Sequence, residues 1–389
     1  MQTNPFVNFI KKYTMVIALA LVVLVFSLTT DGKILYPQNI NNLISQNGYV
    51  FVLATGMLLC ILTGGNIDLS VGSVVCFTMG IAALLLKAGV PIILAVLAVL
   101  AIGLVVGMFQ GFWIAWVSVP PFIATLAGMY AFRGLSNVIL RGYSVGVNNE
   151  TFLKIFGGGA DCYIPDFFKG AELNITCLAF GVAAVVILFI MTIRGQVARS
   201  RMGIKSGSLI GEWFRVLVVS ALIIWITYML AQYKGIHAVL IWITLILLIY
   251  GYITTNTAIG RYFYAVGGNE KATRLSGVNT KRVYFLAYAN MGLLAGLAGI
   301  IALARAGHAE PTYGMGYEMD AIAACFIGGA SAYGGVGKIT GVIIGAALMG
   351  VINQSMSIMG MSANYQSAVK GLVLLVAVLV DVLSKKENA

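Results

Sequence analysis

Residues 88–132 read AGVPIILAVLAVLAIGLVVGMFQGFWIAWVSVPPFIATLAGMYAF, 45 residues without a charge. About 20 apolar residues suffice to cross the hydrocarbon core of a bilayer, so this run is too long for one crossing and long enough for two. Pro120 and Pro121 mark the turn, because a proline pair ends or breaks a helix. The stretch therefore predicts a membrane helix hairpin.

The rest of the chain follows the same grammar. Uncharged runs of crossing length cover 13–29, 48–64, 69–86, 173–193, 216–233, 238–259 and 283–304, and the tail adds 321–337, 339–358 and 363–383. The Gly-rich 321–337 fits a re-entrant segment, so the expectation is an all-α, polytopic helical membrane protein with about 10–12 transmembrane or re-entrant segments. Composition agrees: 60% of the 389 residues are hydrophobic and 10% charged, with a mean hydropathy of +0.95. A soluble domain carries about 25% charged residues. No polar linker or separate soluble domain is visible, so residues 1–389 form one membrane domain.

The net charge of +11 does not indicate nucleic acid, since the basic residues sit in short loops between apolar runs. Loop 194–215 carries Arg194, Arg199, Arg201, Lys205 and Arg215 against Glu212, and loop 254–283 carries Arg261, Lys271, Arg274, Lys281 and Arg282 against Glu270. Lys and Arg mark the cytoplasmic side, which places these loops there together with Lys11/Lys12 and Lys385/Lys386 at the termini. Loop 141–173, with Glu150, Asp161, Asp166 and Glu172, falls outside. Alternating the segments from an inside N-terminus satisfies every loop. Residues 36–47, with Ile40, Leu43 and Ile44 among Asn and Gln, suggest a short interfacial helix. The first apolar run is not followed by a cleavage site and is expected to stay. Cys60, Cys76, Cys162, Cys177 and Cys325 have no metal-ligand spacing and are expected as small core residues.

Three motifs stand out. Gly64-Gly65-Asn66-Ile67-Asp68-Leu69-Ser70-Val71-Gly72 joins two apolar segments. Asp68 there either marks a pathway or caps the helix that follows. Within the second basic loop, Asn269 is an N-cap, Glu270 suits a first turn and Gly277 suits the position after a helix end. The implied two-turn helix is unstable alone, so it either lies on its own membrane domain or is gripped by a partner. The third motif runs from Tyr317-Glu318-Met319-Asp320 to Gly328-Gly329, then Gly334-Gly335-Val336-Gly337-Lys338. Gly337-Lys338 is no phosphate loop, because Ala332 and Ile339 stand where Gly and Ser or Thr are required. Arg133 and Lys370, the charges inside spans, are expected to snorkel to an interface. Amides and aromatics that could meet a sugar are Gln110, Trp113, Asn290, Asn353, Gln354, Tyr365 and Gln366. Each also suits an interhelical hydrogen bond.

Together NIDLSVG (66–72), AVGGNEKATRLSGV (265–278), MDAIAACFIGG (319–329) and SANYQSAVKGLVLLVAVLVD (362–381) resemble the permeases of the ribose, xylose and galactose-type ABC sugar importers. TLAGMYAFRG (125–134) and the basic segment near 194–215 are similar to the xylose and multiple-monosaccharide branch. The resemblance implies a permease of the bacterial inner membrane, both termini cytoplasmic, that paths a monosaccharide. It implies as partners an ABC ATPase on another chain, a periplasmic sugar-binding protein and a second copy of the permease. It makes Asn269, Glu270, Arg274, Leu275 and Gly277 the coupling helix and sets the segment around Asp68 on or near the translocation pathway; with the amides and the second buried acid, the pathway candidates are Asn66, Asp68, Ser70, Gln110, Asp320 and Asn353. No catalytic residue, metal or cofactor is expected. Gln110 departs from the family, which often has Asn there before Gly. Two other readings remain: an ion-gradient transporter using Asp68 and Asp320, and a membrane-embedded enzyme, for which no His, Asp, Glu or Cys cluster is visible.

Overall fold

A computed structural model describes residues 5–170, 173–203 and 209–386. Glu172 and Lys205, and the side chains of Lys11, Lys12, Lys385 and Lys386, lie outside that description. Fifteen α-helices follow in order among the described residues: α1 (Pro5–Thr29), α2 (Pro37–Leu62), α3 (Val71–Lys87), α4 (Ile92–Ala115), α5 (Pro121–Leu140), α6 (Glu150–Phe156), α7 (Ile175–Arg201), α8 (Leu209–Ala231), α9 (Ala238–Asn256), α10 (Ala258–Gly268), α11 (Glu270–Leu275), α12 (Thr280–Ala306), α13 (Tyr317–Ile327), α14 (Ile339–Ile358) and α15 (Ala363–Lys386). Eight of them are long and apolar enough to cross a membrane, and Met15–Thr29, Val71–Lys87 and Ala363–Leu379 are shorter apolar helices. The polytopic helical architecture is as the sequence predicts. The only sheet among the described residues is the antiparallel pair β1 (Val145–Gly146) and β2 (His308–Ala309).

The hairpin of 88–132 forms as α4 and α5. Ser118 turns with a φ of 65°, and Pro121 opens α5 at its first turn, where a missing N–H costs nothing. Residues 36–47 do not form a separate interfacial helix. They are the first half of α2, started by Pro37 and continuous to Leu62. Two of the polar residues that suggested an interface are instead buried in the protein, Asn41 donating to Gly235 O (3.3 Å) and Asn47 accepting from the Asn353 amide (3.1 Å).

Helices α2 and α12 form the centre, 78% and 83% buried over their apolar windows, against 17% for α7 and 22% for α8. Each central helix is followed by an irregular segment, a shorter helix and two further helices. The packing partners correspond: α3 lies on α12, α4 and α5, whereas α13 lies on α2, α14 and α15. The two sets run in opposite directions. Residues 63–70 turn back beside α2, with Asp68 N–H donating to Met57 Sδ (3.4 Å), and α3 leads away from the basic loops. Residues 310–316 lead on from β2, and α13 runs toward the basic loops, with Cys325 Sγ donating to Ala54 O (3.1 Å). This is an inverted repeat with two broken segments at its heart, an arrangement that puts non-helical backbone where it lines a cavity or is covered by protein.

All five cysteines are free and buried. At the end opposite the basic loops, Cys162 Sγ lies 3.2 Å from His237 Nε2, and the His237 Nδ1 caps α9 through Val239 N–H (3.3 Å). Burial lowers the His237 pKa to about 4. Asn174 caps α7 by accepting from Cys177 N–H (2.9 Å).

Helices α4 and α12 touch backbone to backbone. A Cβ on Gly292 would stand 2.2 Å from Gly103 O and 2.6 Å from Gly107 N, whereas a Cβ on Gly251 in α9 would meet nothing. Gly292→Ala should therefore destabilise the folded protein by about 1–3 kcal/mol through overpacking. Gly251→Ala should be neutral or stabilising. Thermal melting of the purified protein in detergent checks this, and equal melting of the two variants would contradict it.

Candidate functional site

The two broken segments meet inside the bundle. A Cβ on Gly72 would lie 2.2 Å from Gly314 O, and one on Gly314 would lie 2.4 Å from Gly72 O, so only glycine permits the contact. On the α3 side, Asp68 Oδ1 accepts from Ser70 N–H (2.8 Å) and from Ser70 Oγ (2.6 Å). Ser70 Oγ in turn accepts from Gln110 Nε2 of α4 (2.7 Å). Gly128 of α5 closes over this chain, since a Cβ there would be 2.5 Å from Gln110 Nε2. Asp68, Ser70 and Gln110 are all buried, so three of the predicted pathway residues form one hydrogen-bonded latch that ties the start of α3 to α4. Asp68 does fix the turn into α3, by bonding the N–H two residues on.

On the α13 side, Asp320 is fully buried and pairs with Lys370 of α15 (2.9 Å). The same oxygen accepts from Tyr49 OH of α2 (2.5 Å), whose ring stacks on Tyr317 at 3.5 Å. Lys370 therefore does not snorkel to an interface. Its side chain is 16% exposed and its Nζ is paired with the fully buried Asp320. Arg133 does not snorkel either: its guanidinium donates to Pro311 O (3.2 Å) and Tyr313 O (2.6 Å), pinning the irregular segment to α5. An irregular segment inside a membrane domain has backbone carbonyls without helical partners, and the half-buried Arg133 guanidinium supplies donors to two of them.

Asn353, the remaining pathway candidate, stands apart. Its amide donates to Asn47 Oδ1 (3.1 Å), an interhelical bond between α14 and α2. Asn290 likewise accepts from Tyr250 OH (2.5 Å).

The predicted coupling residues gather at the basic end. Asn269 Oδ1 caps α11 through Ala272 N–H (2.9 Å), and Gly277 follows the helix with a φ of 85°. Thr273 Oγ1 donates to Ala265 O (2.8 Å), which ties α11 to α10. Glu270 accepts from Thr280 Oγ1 (3.2 Å) and Tyr284 OH (3.1 Å) of α12, and so anchors α11 to a central helix. Leu275 projects with 87% of its surface exposed. A cavity of about 580 Å³ lies between α11 and the α4–α5 turn, lined by Asn66, Ser118, Glu270, Arg274, Lys281 and Tyr284 among others. Asn66 thus shares a cavity with the predicted coupling residues and not with Asp68. Tyr49 and Tyr284 lie in no motif, and their part, like the pairing of Arg133 and Lys370, is recognisable only once the partners are in place.

Breaking a buried ion pair by removing one partner costs about 3–5 kcal/mol, because the other charge remains buried. Lys370→Met should therefore lower stability by that order, and Lys370→Met with Asp320→Asn should recover most of it. Melting of the single and double variants decides; an equal loss in both would contradict the pairing.

A family described as branched-chain amino acid transport system / permease component matches residues 39–378. The xylose transport system permease protein XylH of Escherichia coli is 35% identical over 97% of this chain and 93% of its own length. Its namesake in Haemophilus influenzae is 34% identical over 97% and 98%, and the E. coli ribose import permease protein RbsC is 34% identical over 93% and 92%. No solved structure matches. With eight helices long and apolar enough to cross a membrane and sequence matches that run almost end to end, the chain belongs to this family of transport-system permease components and is a multi-pass membrane permease subunit.

Proposed function

We propose that this permease forms the translocation pathway of an ATP-driven importer for a monosaccharide in a bacterial inner membrane. A separate ABC ATPase supplies the energy, an extracytoplasmic binding protein delivers the sugar, a second copy completes the pathway, and the termini lie in the cytoplasm. The sugar is a pentose by the printed names of the full-length relatives, xylose and ribose. The family description names branched-chain amino acids, but the two pentose permeases match over nearly the whole chain.

The observation that carries the reading is α11. A six-residue helix does not hold together by its own hydrogen bonds. Here it is capped, tied to α10 and α12, and made to present Leu275 and Arg274 beyond the basic end. A leucine 87% exposed on a braced helix is a surface built for a partner. Energy for import then comes from partners that bind the two access states unequally, since binding that does not discriminate between states shifts nothing. The latch of Asp68, Ser70 and Gln110 holds α3 in one of those states, and the cavity beside α11 serves as the inner vestibule.

The ion-gradient reading is weaker. It requires buried acids free to take a cation, yet Asp320 is paired with Lys370 and Asp68 Oδ1 already accepts two hydrogen bonds.

Arg274→Asp with Leu275→Asp should uncouple ATP hydrolysis from sugar uptake in vesicles holding the permease, the ATPase and the binding protein. Uptake that keeps its ATP dependence and rate in this variant would remove the coupling role of α11. Titration of pentoses and hexoses against the binding protein identifies the sugar.

A further inference from the structure

Three glycine doublets from three distant parts of the sequence meet at the basic end. Gly64-Gly65 follows α2, Gly267-Gly268 ends α10, and Gly334-Gly335 lies in the loop between α13 and α14. Gly335 N–H donates to Leu62 O (3.0 Å). A Cβ on Gly267 would stand 1.8 Å from that same Leu62 O and 2.4 Å from Gly335 N. A Cβ on Gly65 would stand 1.9 Å from Ala332 O, and one on Gly334 would stand 2.5 Å from Gly64 Cα. Tyr264 OH adds a bond from α10 to Gly337 O (2.9 Å). Main chain rests on main chain, with no side chain between.

That absence has a mechanical consequence. A side chain at an interface can change rotamer and absorb a small displacement, whereas close-packed backbone has nothing to yield and passes strain on. Small shifts are amplified where packed elements have two discrete arrangements. The three strands of the contact lead to the three parts that must act together. Gly267-Gly268 continues through Asn269 into α11. Gly64-Gly65 opens the irregular segment that carries Asp68 to the start of α3. Gly334-Gly335 closes the loop that follows α13, and that loop is also held by Asp381 of α15, which accepts from Ala332 N–H (3.0 Å).

We infer that this triple glycine contact is a transmission joint: it couples α11 to both broken segments at once, with Gly267 as the positioning residue. The inference rests on the reading of α11 as the element an ATPase grips, and it adds how the grip reaches the pathway. A push on α11 delivered through side chains of α12 alone would move one half of the inverted repeat. Delivered through the joint, it moves the entry to α3 and the exit of α13 together, as switching access on two sides of one pathway requires.

Two adjacent glycines make the test. Both lie in helical backbone at the end of α10, but a Cβ on Gly268 would meet nothing within 4 Å. Gly267→Ala and Gly268→Ala are to be compared in the full complex of permease, ATPase and binding protein in vesicles, with xylose as probe. Gly267→Ala should lower ATP-driven uptake by about tenfold while complex assembly and basal ATP hydrolysis stay near wild type, and Gly268→Ala should change none of these. Equal uptake by the two variants overturns the joint. Hydrogen exchange on the wild-type complex decides the matter if Gly267→Ala fails to assemble. ATP should then alter amide protection at 62–70 and 328–338 together with 264–278, and a response confined to 264–278 overturns the joint. If Arg274→Asp with Leu275→Asp leaves coupling intact, the ATPase reading itself fails; if that variant uncouples and Gly267→Ala behaves as Gly268→Ala, only the joint fails.

Discussion

A bilayer offers no water to an unpaired backbone group, and this one constraint organises the molecule. Residues 63–70 and 307–316 run through a membrane domain as mostly non-helical backbone. They survive because α2 and α12, the most buried long helices, wall them in, and because specific side chains serve their free groups. Arg133 donates to the carbonyls of Pro311 and Tyr313, Asp68 accepts from Ser70 N–H, and Asn66 donates to Thr63 O. Around these segments the protein is a soluble-like interior; away from them α7 and α8 need only an apolar surface. The sequence gradient from Gly- and amide-rich motifs to plain apolar runs follows that radial order.

Charge inside the bundle obeys the same logic. Asp320, Lys370 and Tyr49 come from α13, α15 and α2, so one buried cluster fixes the short broken helix against both neighbours. Such a pair adds little net stability over apolar packing, but it is costly to leave half made, and that asymmetry specifies register. Where α13 sits relative to α15 is then decided to within a side chain's reach.

Much of this was legible in the sequence because a membrane helix announces itself by length and apolarity. The spans at 88–132, 173–193, 238–259 and 283–304 became α4, α5, α7, α9 and α12, and Asn269 and Gly277 marked the ends of α11 as their side-chain and backbone chemistry requires. Residues 36–47 misled because polar side chains on a helix look alike whether they face headgroups or the protein interior, and Asn41 and Asn47 do the latter. Lys370 misled for the related reason that snorkelling is a local property, whereas its partner lies 50 residues away. Among the site candidates, Asp68, Ser70 and Gln110 did come together, but Asn353 paired with Asn47 instead. The glycine doublets were each visible as loop signals; that they touch depends on the fold of the inverted repeat, which no local pattern carries.

The account holds that the permease is a passive gate whose power arrives from a partner through α11. The most direct measurement is sugar accumulation by the purified permease alone in sealed vesicles, with imposed ion gradients and without any ATPase. The account predicts that internal sugar never exceeds the external concentration. Accumulation against the gradient under those conditions would contradict it.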